Sequence, residues 1–155
     1  MSRIQLDGPS AGTIAAAFAC AACGEEAETV RFLPRGVPGN HCSGDAVQFH
    51  FGSETMMLGP GDVRAVRAAL TASDAAALHA AHPRWAASYC PQCRACYCRR
   101  HWTIEQEPDP AGDGYSMHYD THGTCPSGHR RLMAKDGPGW PQGDRDAGGL
   151  IVEGK

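Results

Sequence analysis

The sequence predicts a small α+β domain whose fold is held together from within by bound metal. Three observations lead there. Short Cys/His pairs recur along the chain, as Cys20-x2-Cys23, Cys90-x2-Cys93, Cys98-x2-His101 and Cys125-x3-His129. Period-2 and helical apolar patterns are both present, but each is brief. The supply of large apolar side chains is thin. The 155 residues are 42% hydrophobic with much of that Ala, only 7% are aromatic, and there are 19 Gly and 11 Pro. Such a chain makes a small core, and a small core gains from metal cross-links.

The pairs give the chemistry. Thiolate and imidazole are the donors Zn²⁺ prefers, and a structural site uses four of them in a tetrahedron. Eight donors therefore predict two structural zinc ions, held by Cys20, Cys23, Cys90, Cys93, Cys98, His101, Cys125 and His129. The spacing itself argues for metal rather than disulfides, since two of the pairs mix Cys with His. The expected home is a reducing cytoplasm, where clustered Cys bind metal. The apolar run Thr13–Cys20 does not read as a secretory leader, because only Arg3 precedes it as a basic residue and Asp7 lies between. No stretch approaches the roughly 20 apolar residues of a membrane span. The Ala, Gly, Pro and Arg bias is that of a GC-rich bacterial source.

Taken in order, residues 1–17 read as a loose N-terminal arm. Phe18–Gly24 reads as a zinc knuckle, and Thr29–Leu33 as a short strand ended by Pro34-Arg35-Gly36. Val47, Phe49 and Phe51 alternate with Gln48 and His50, a half-buried strand. Thr55–Leu58 is its hairpin partner through Gly52-Ser53. Gly59-Pro60-Gly61-Asp62 then starts a helix with the stripe Val63, Val66 and Leu70. Asp74 caps a second helix, Ala75–Ala81, stopped before Pro83. Beyond the metal-rich segment 88–101, Thr103–Gln106 and Tyr115–Tyr119 read as strands around a Gly/Pro/Asp turn. Arg130–Lys135 reads as a short helical turn after the last pair. The dinuclear domain thus covers 18–135, and residues 136–155 read as a disordered tail containing the small apolar patch Leu150–Val152.

Spacing leaves the sharing of ligands open. Cys90/Cys93 and Cys98/His101 are close enough in sequence to close one site as consecutive pairs, and the pairs can also interleave. In the interleaved form the chain resembles the cross-brace zinc folds, RING, FYVE and other treble-clef modules. That resemblance implies one ion on Cys20, Cys23, Cys98 and His101 and another on Cys90, Cys93, Cys125 and His129. Cys125-Pro126 is similar to the Cys-Pro turn that ends many RING domains, and Arg130 directly follows the last ligand. RING ligases for ubiquitin often place a basic residue there. Trp102 falls where an aromatic often helps form the partner groove. The resemblance therefore implies partner-binding roles for Trp102 and Arg130, with a ubiquitin-like conjugating enzyme as partner. The chain departs from RING in the 66 residues between its first two pairs and in Ala21, where a larger aliphatic is usual.

These features together predict a zinc-binding protein-recognition module or adaptor, whose partner is another protein. A nucleic-acid-binding zinc module using Arg99/Arg100 and Arg130/Arg131 is the alternative. The net charge of -3, near about -5 once six thiolates hold two Zn²⁺, argues against it. A thiol or metallo-enzyme is a further alternative. It rests on Cys42 with His41 and His50, or on His118 and His122 around Asp120, and no catalytic signature accompanies either group. Cys96 remains an alternative to Cys98, and His41/Cys42 remain substitutes within the ligand set. His79 and His82, at a helix end, read as solvated or capping.

Overall fold

The computed structural model describes residues 3–4, 12–108 and 119–135. The chain opens with a five-stranded antiparallel meander: β1 (Arg3–Ile4), β2 (Ile14–Ala19), β3 (Glu26–Leu33), β4 (Ala46–Phe49) and β5 (Glu54–Met57), neighbours in that order. Helices α1 (Pro60–Thr71) and α2 (Ala75–Ala81) follow and pack against each other, with α1 lying on β2 and β3. A 3₁₀ turn (Pro83–Ala86) leads to the small ribbon β6 (Tyr89–Cys90) and β7 (Ala95–Cys96). A second 3₁₀ turn (Arg99–His101) leads to a three-stranded antiparallel sheet. Its strands are β8 (Thr103–Pro108), β9 (Tyr119–Thr124) and β10 (Arg130–Lys135), with β9 in the centre. The architecture is α+β as expected, with two α-helices and three antiparallel sheets. Among the described residues no helix is long and apolar enough to cross a membrane.

The N-terminal arm ends earlier than expected. Residues 14–19 form a strand in the meander, and Ala15, Ala16, Ala17 and Phe18 are all buried. A strand covered on both faces needs no polar alternation, so a run of small apolar residues suffices. Residues 5–11 of that arm, the strand expected at 115–118 and the tail 136–155 lie outside the described residues. The partner of β8 is Tyr119–Thr124. Arg130–Lys135 is a strand and not a helical turn. It pairs with β9 through the turn 125–129, and that hairpin ladder outweighs the helix preference of its side chains.

Local signals set the helices. Pro60 sits in the first turn of α1, where its missing N–H costs nothing. Val66, Ala69 and Leu70 form the buried stripe. Asp74 caps α2, its carboxylate accepting from the Ala77 N–H at 3.0 Å. One apolar core joins the meander to the helices through Phe18, Val30, Phe32, Phe49, Leu70 and Trp85, all at most 2% exposed.

Two polar side chains tie distant segments together, Glu28 buried and Arg131 half-buried. Glu28 on β3 accepts the N–H of Phe51 at 2.9 Å and that of Ser88 at 3.0 Å. Phe51 has φ of 56°, a left-handed conformation an aromatic residue rarely takes, and the Glu28 bond helps hold it. Arg131 on β10 turns inward. Its guanidinium donates to the carbonyls of Pro83 at 2.8 Å and Ala86 at 3.0 Å, and also to that of Tyr89. Opposite, Gly123 leaves room for the Trp102 ring, whose Cε3 would lie 2.9 Å from an added Cβ.

Candidate metal centres

Each centre is assembled from two tight turns far apart in sequence. The first turn of the first centre joins β2 to β3. The Cys20 N–H donates to the Glu25 carbonyl at 2.7 Å, and the Gly24 N–H to the Cys20 carbonyl at 2.8 Å. Gly24 has φ of 82°, which makes glycine the natural residue there. The Ala22 N–H points at Cys20 Sγ at 3.4 Å, the backbone-to-sulfur bond of a knuckle. Its second turn is the 3₁₀ turn after Cys98, where the His101 N–H donates to the Cys98 carbonyl at 2.8 Å. That closure brings His101 Nδ1 to 3.1 Å from Cys98 Sγ.

The second centre repeats the plan. The Arg94 N–H closes the β6–β7 turn on the Cys90 carbonyl at 2.7 Å. The β9–β10 turn closes through the Gly128 N–H to the Cys125 carbonyl at 2.9 Å, and the His129 N–H donates to Cys125 Sγ at 3.4 Å.

The eight side chains fall into two groups, Cys20/Cys23/Cys98/His101 and Cys90/Cys93/Cys125/His129. Within each group the donor atoms all lie within 4.8 Å of one another. The grouping is the interleaved one, first pair with third and second with fourth. Its dimensions fit a tetrahedral ion. With Zn–S near 2.3 Å and Zn–N near 2.0 Å, the edges of such a tetrahedron are about 3.8 Å for S···S and about 3.5 Å for S···N. Cys23–Cys98 and Cys93–Cys125 are separated by 3.9 and 3.6 Å. Nδ1 of His129 lies 3.3, 3.5 and 3.6 Å from Cys93, Cys125 and Cys90. All eight cysteines are free, and these S···S separations far exceed a disulfide bond.

The electrostatics also favour a cation. In the second group, hydrogen bonds from the Tyr97 hydroxyl, Ser127 and His129 pull the Cys93 thiol down to about 6, while burial pushes Cys90 up to about 11. Neighbouring thiols cannot all ionise without a positive charge between them, and a divalent ion supplies it. In the first group burial opposes ionisation of Cys98, but hydrogen bonds from Arg100 and from the neighbouring thiols outweigh it and bring the thiol to about 7.

The other candidate residues are placed differently. Trp102 is 4% exposed, with its Nε1–H donating to the Ser88 carbonyl at 3.3 Å and its ring edge-on to Tyr97. It belongs to the core: it follows the 3₁₀ turn, just ahead of β8, and its ring lies over Gly123 of β9. Arg130 is exposed and ion-paired with Glu107. Arg131, its neighbour, is spent on backbone carbonyls. Arg100 lies on Cys23 Sγ and Arg99 over the Phe51 ring at 5.2 Å.

Cys96 is buried, lies outside both groups, and its thiol is pushed up to about 11, chiefly by burial. Cys42 and His41 join no group of three metal-capable side chains among the described residues. Burial pushes the Cys42 thiol up, the opposite of an activated nucleophile. His122 faces Glu107, its Nδ1 3.7 Å from Oε1, and joins no such group either. His118 lies outside the described residues. His82 stacks on Trp85 at 4.9 Å and accepts the Arg84 N–H, so it caps the 3₁₀ turn. Glu28, the buried link from β3 to Ser88, carries no signal in sequence beyond its residue type, and Arg131 stands there only as half of a basic pair.

No curated protein and no solved structure matches the chain. A family model described as "Domain of unknown function (DUF8328)" matches residues 11–135, a span that encloses both metal-capable groups. The chain belongs to that family.

Proposed function

We propose that the chain is a zinc-stabilised protein-recognition module, an adaptor in which two Zn²⁺ ions do structural work. One observation carries the metal reading: two groups of three thiols and one imidazole stand at tetrahedral spacing, so protein donors alone fill each coordination sphere. A catalytic zinc keeps a position open for water or substrate. Here each ion would instead clamp two distant turns, and its binding energy would be folding energy. Recognition of another protein is the reading that suits such a scaffold. Two of the arginines named for nucleic acid have partners within the chain, Arg131 on carbonyls and Arg100 on Cys23. A ligase for a ubiquitin-like modifier is the sharpest version. Its remaining support is the cross-brace ligand order and the exposed Arg130, since Trp102 is buried.

Native mass spectrometry of the purified chain tests the metal reading, with two zinc ions per chain expected. Chelation should cost tens of degrees of melting temperature or abolish the transition. One ion, none, or an unchanged melt after chelation refutes it. Discharge of a thioester-charged conjugating enzyme, compared with Arg130→Ala, tests the ligase version, which fails if the wild-type chain does not accelerate it.

A further inference from the structure

We propose that Arg100 is the outer-sphere cation of the first metal centre and sets how firmly that centre holds its zinc. The inference rests on the zinc reading above. Three thiolates against one divalent ion leave each centre with one excess negative charge. The first centre is the more open of the two. Cys20 and Cys98 are buried, but Cys23 is exposed. Over that exposed sulfur stands the Arg100 guanidinium, with Nη2 3.5 Å from Cys23 Sγ.

The placement follows from the local fold. Arg100 lies in the middle of the 3₁₀ turn Arg99–His101. The turn that aims His101 Nδ1 at the thiols also delivers the next-door guanidinium to the solvent side of the site. Arg99, one position earlier, is turned to the Phe51 ring instead. The second centre is served differently. Its Cys93 receives hydroxyl donors from Tyr97 and Ser127, which are neutral. Arg131 spends its donors on the carbonyls of Pro83, Ala86 and Tyr89.

A charge-assisted N–H···S bond draws electron density from the thiolate and offsets the excess charge of the centre. It also shields Cys23 from protons and competing ligands. Groups that hydrogen-bond metal ligands typically contribute 10–100-fold to affinity. The first centre should therefore depend on Arg100 and on ionic strength, and the second on neither.

The test is zinc transfer from the full-length holo-protein to a chromophoric chelator, for wild type, Arg100→Gln, Arg100→Lys and Arg99→Gln. In Arg100→Gln one of the two ions should leave about 10-fold faster or more, and the other at the wild-type rate. Hydrogen exchange should show lost protection at residues 20–23 and 98–101, with 90–93 and 125–129 unchanged. Arg100→Lys should restore part of the retention, and Arg99→Gln should match wild type. In wild type, added salt should speed release of the first ion, because an exposed charge contact is screened. This arm needs no variant. Two ions released at wild-type rates by Arg100→Gln, or no salt effect on wild type, overturns the role of Arg100 alone. Fewer than two zinc ions in wild type overturns the zinc reading itself.

Discussion

His101 Nδ1 lies 3.6 Å from Cys20 Sγ, across 81 residues of chain. A turn at the end of β2 and a turn ahead of β8 thus share one centre, and no short loop could replace that link.

The link makes the two cysteines near residue 97 easy to tell apart. Cys98→Ser removes a donor from the first group, so one zinc per chain should be lost and the melt should fall or vanish. Cys96→Ser leaves both groups complete. It should keep two zinc ions and lose only about 1–3 kcal/mol for a buried hydroxyl. Metal counting by mass spectrometry with a thermal melt checks both. The assignment is wrong if Cys96→Ser is the variant that drops an ion.

Arg130 and Arg131 are neighbours with opposite duties. Arg131→Ala would strip donors from the carbonyls of Pro83, Ala86 and Tyr89, and should cost about 2–4 kcal/mol. Arg130→Ala breaks an exposed pair with Glu107 and should cost less than about 1 kcal/mol. Urea unfolding of the two zinc-loaded variants measures the difference. Equal losses would mean that the inward bonds of Arg131 contribute little.

Glu28 gives a pH signature. Burial raises its carboxyl above the ordinary 4.5, against the opposing bonds from Phe51, Ser88 and the charge of Arg131. A raised carboxyl favours the folded state most when protonated, below the unfolded value. That contribution is lost as pH rises through the folded value. Glu28→Gln cannot ionise, so the stability of wild type relative to Glu28→Gln should decline as pH rises above about 4.5. Zinc loss at acid pH acts on both proteins alike and cancels in the difference. A difference that grows with pH would contradict the assignment.

Much of this molecule is legible in its sequence where the signal is local. Asp74 before an Ala-rich stretch, Pro60 before Val66 and Leu70, and Val47/Phe49 beside a Gly-containing turn each announce their element within a few residues. Ligand spacing likewise marks the four knuckle turns. What is not legible depends on pairing and packing partners. Ala15, Ala16 and Ala17 have no alternation because β2 is covered on both faces. Arg130–Lys135 has side chains that suit a helix, and only the ladder with β9 makes it a strand. The inward turn of Trp102 goes with the space left by Gly123, and that of Arg131 with carbonyls at residues 83–89, each remote in sequence from the side chain it receives.

The crossing of the ligand pairs has a consequence for the order in which the chain matures. Cys20 and Cys23 emerge early in synthesis, yet their centre cannot close until His101 has emerged, and the other centre waits for His129. Until then Cys20 and Cys23 can take up a metal only with other partners. Cys90/Cys93 and Cys98/His101 appear within a few residues of each other and form a ready-made four-donor trap. Escape from it requires ligand exchange once Cys125 arrives. Refolding from the metal-free state should therefore show a slow phase governed by zinc concentration and not by the intrinsic speed of strand pairing.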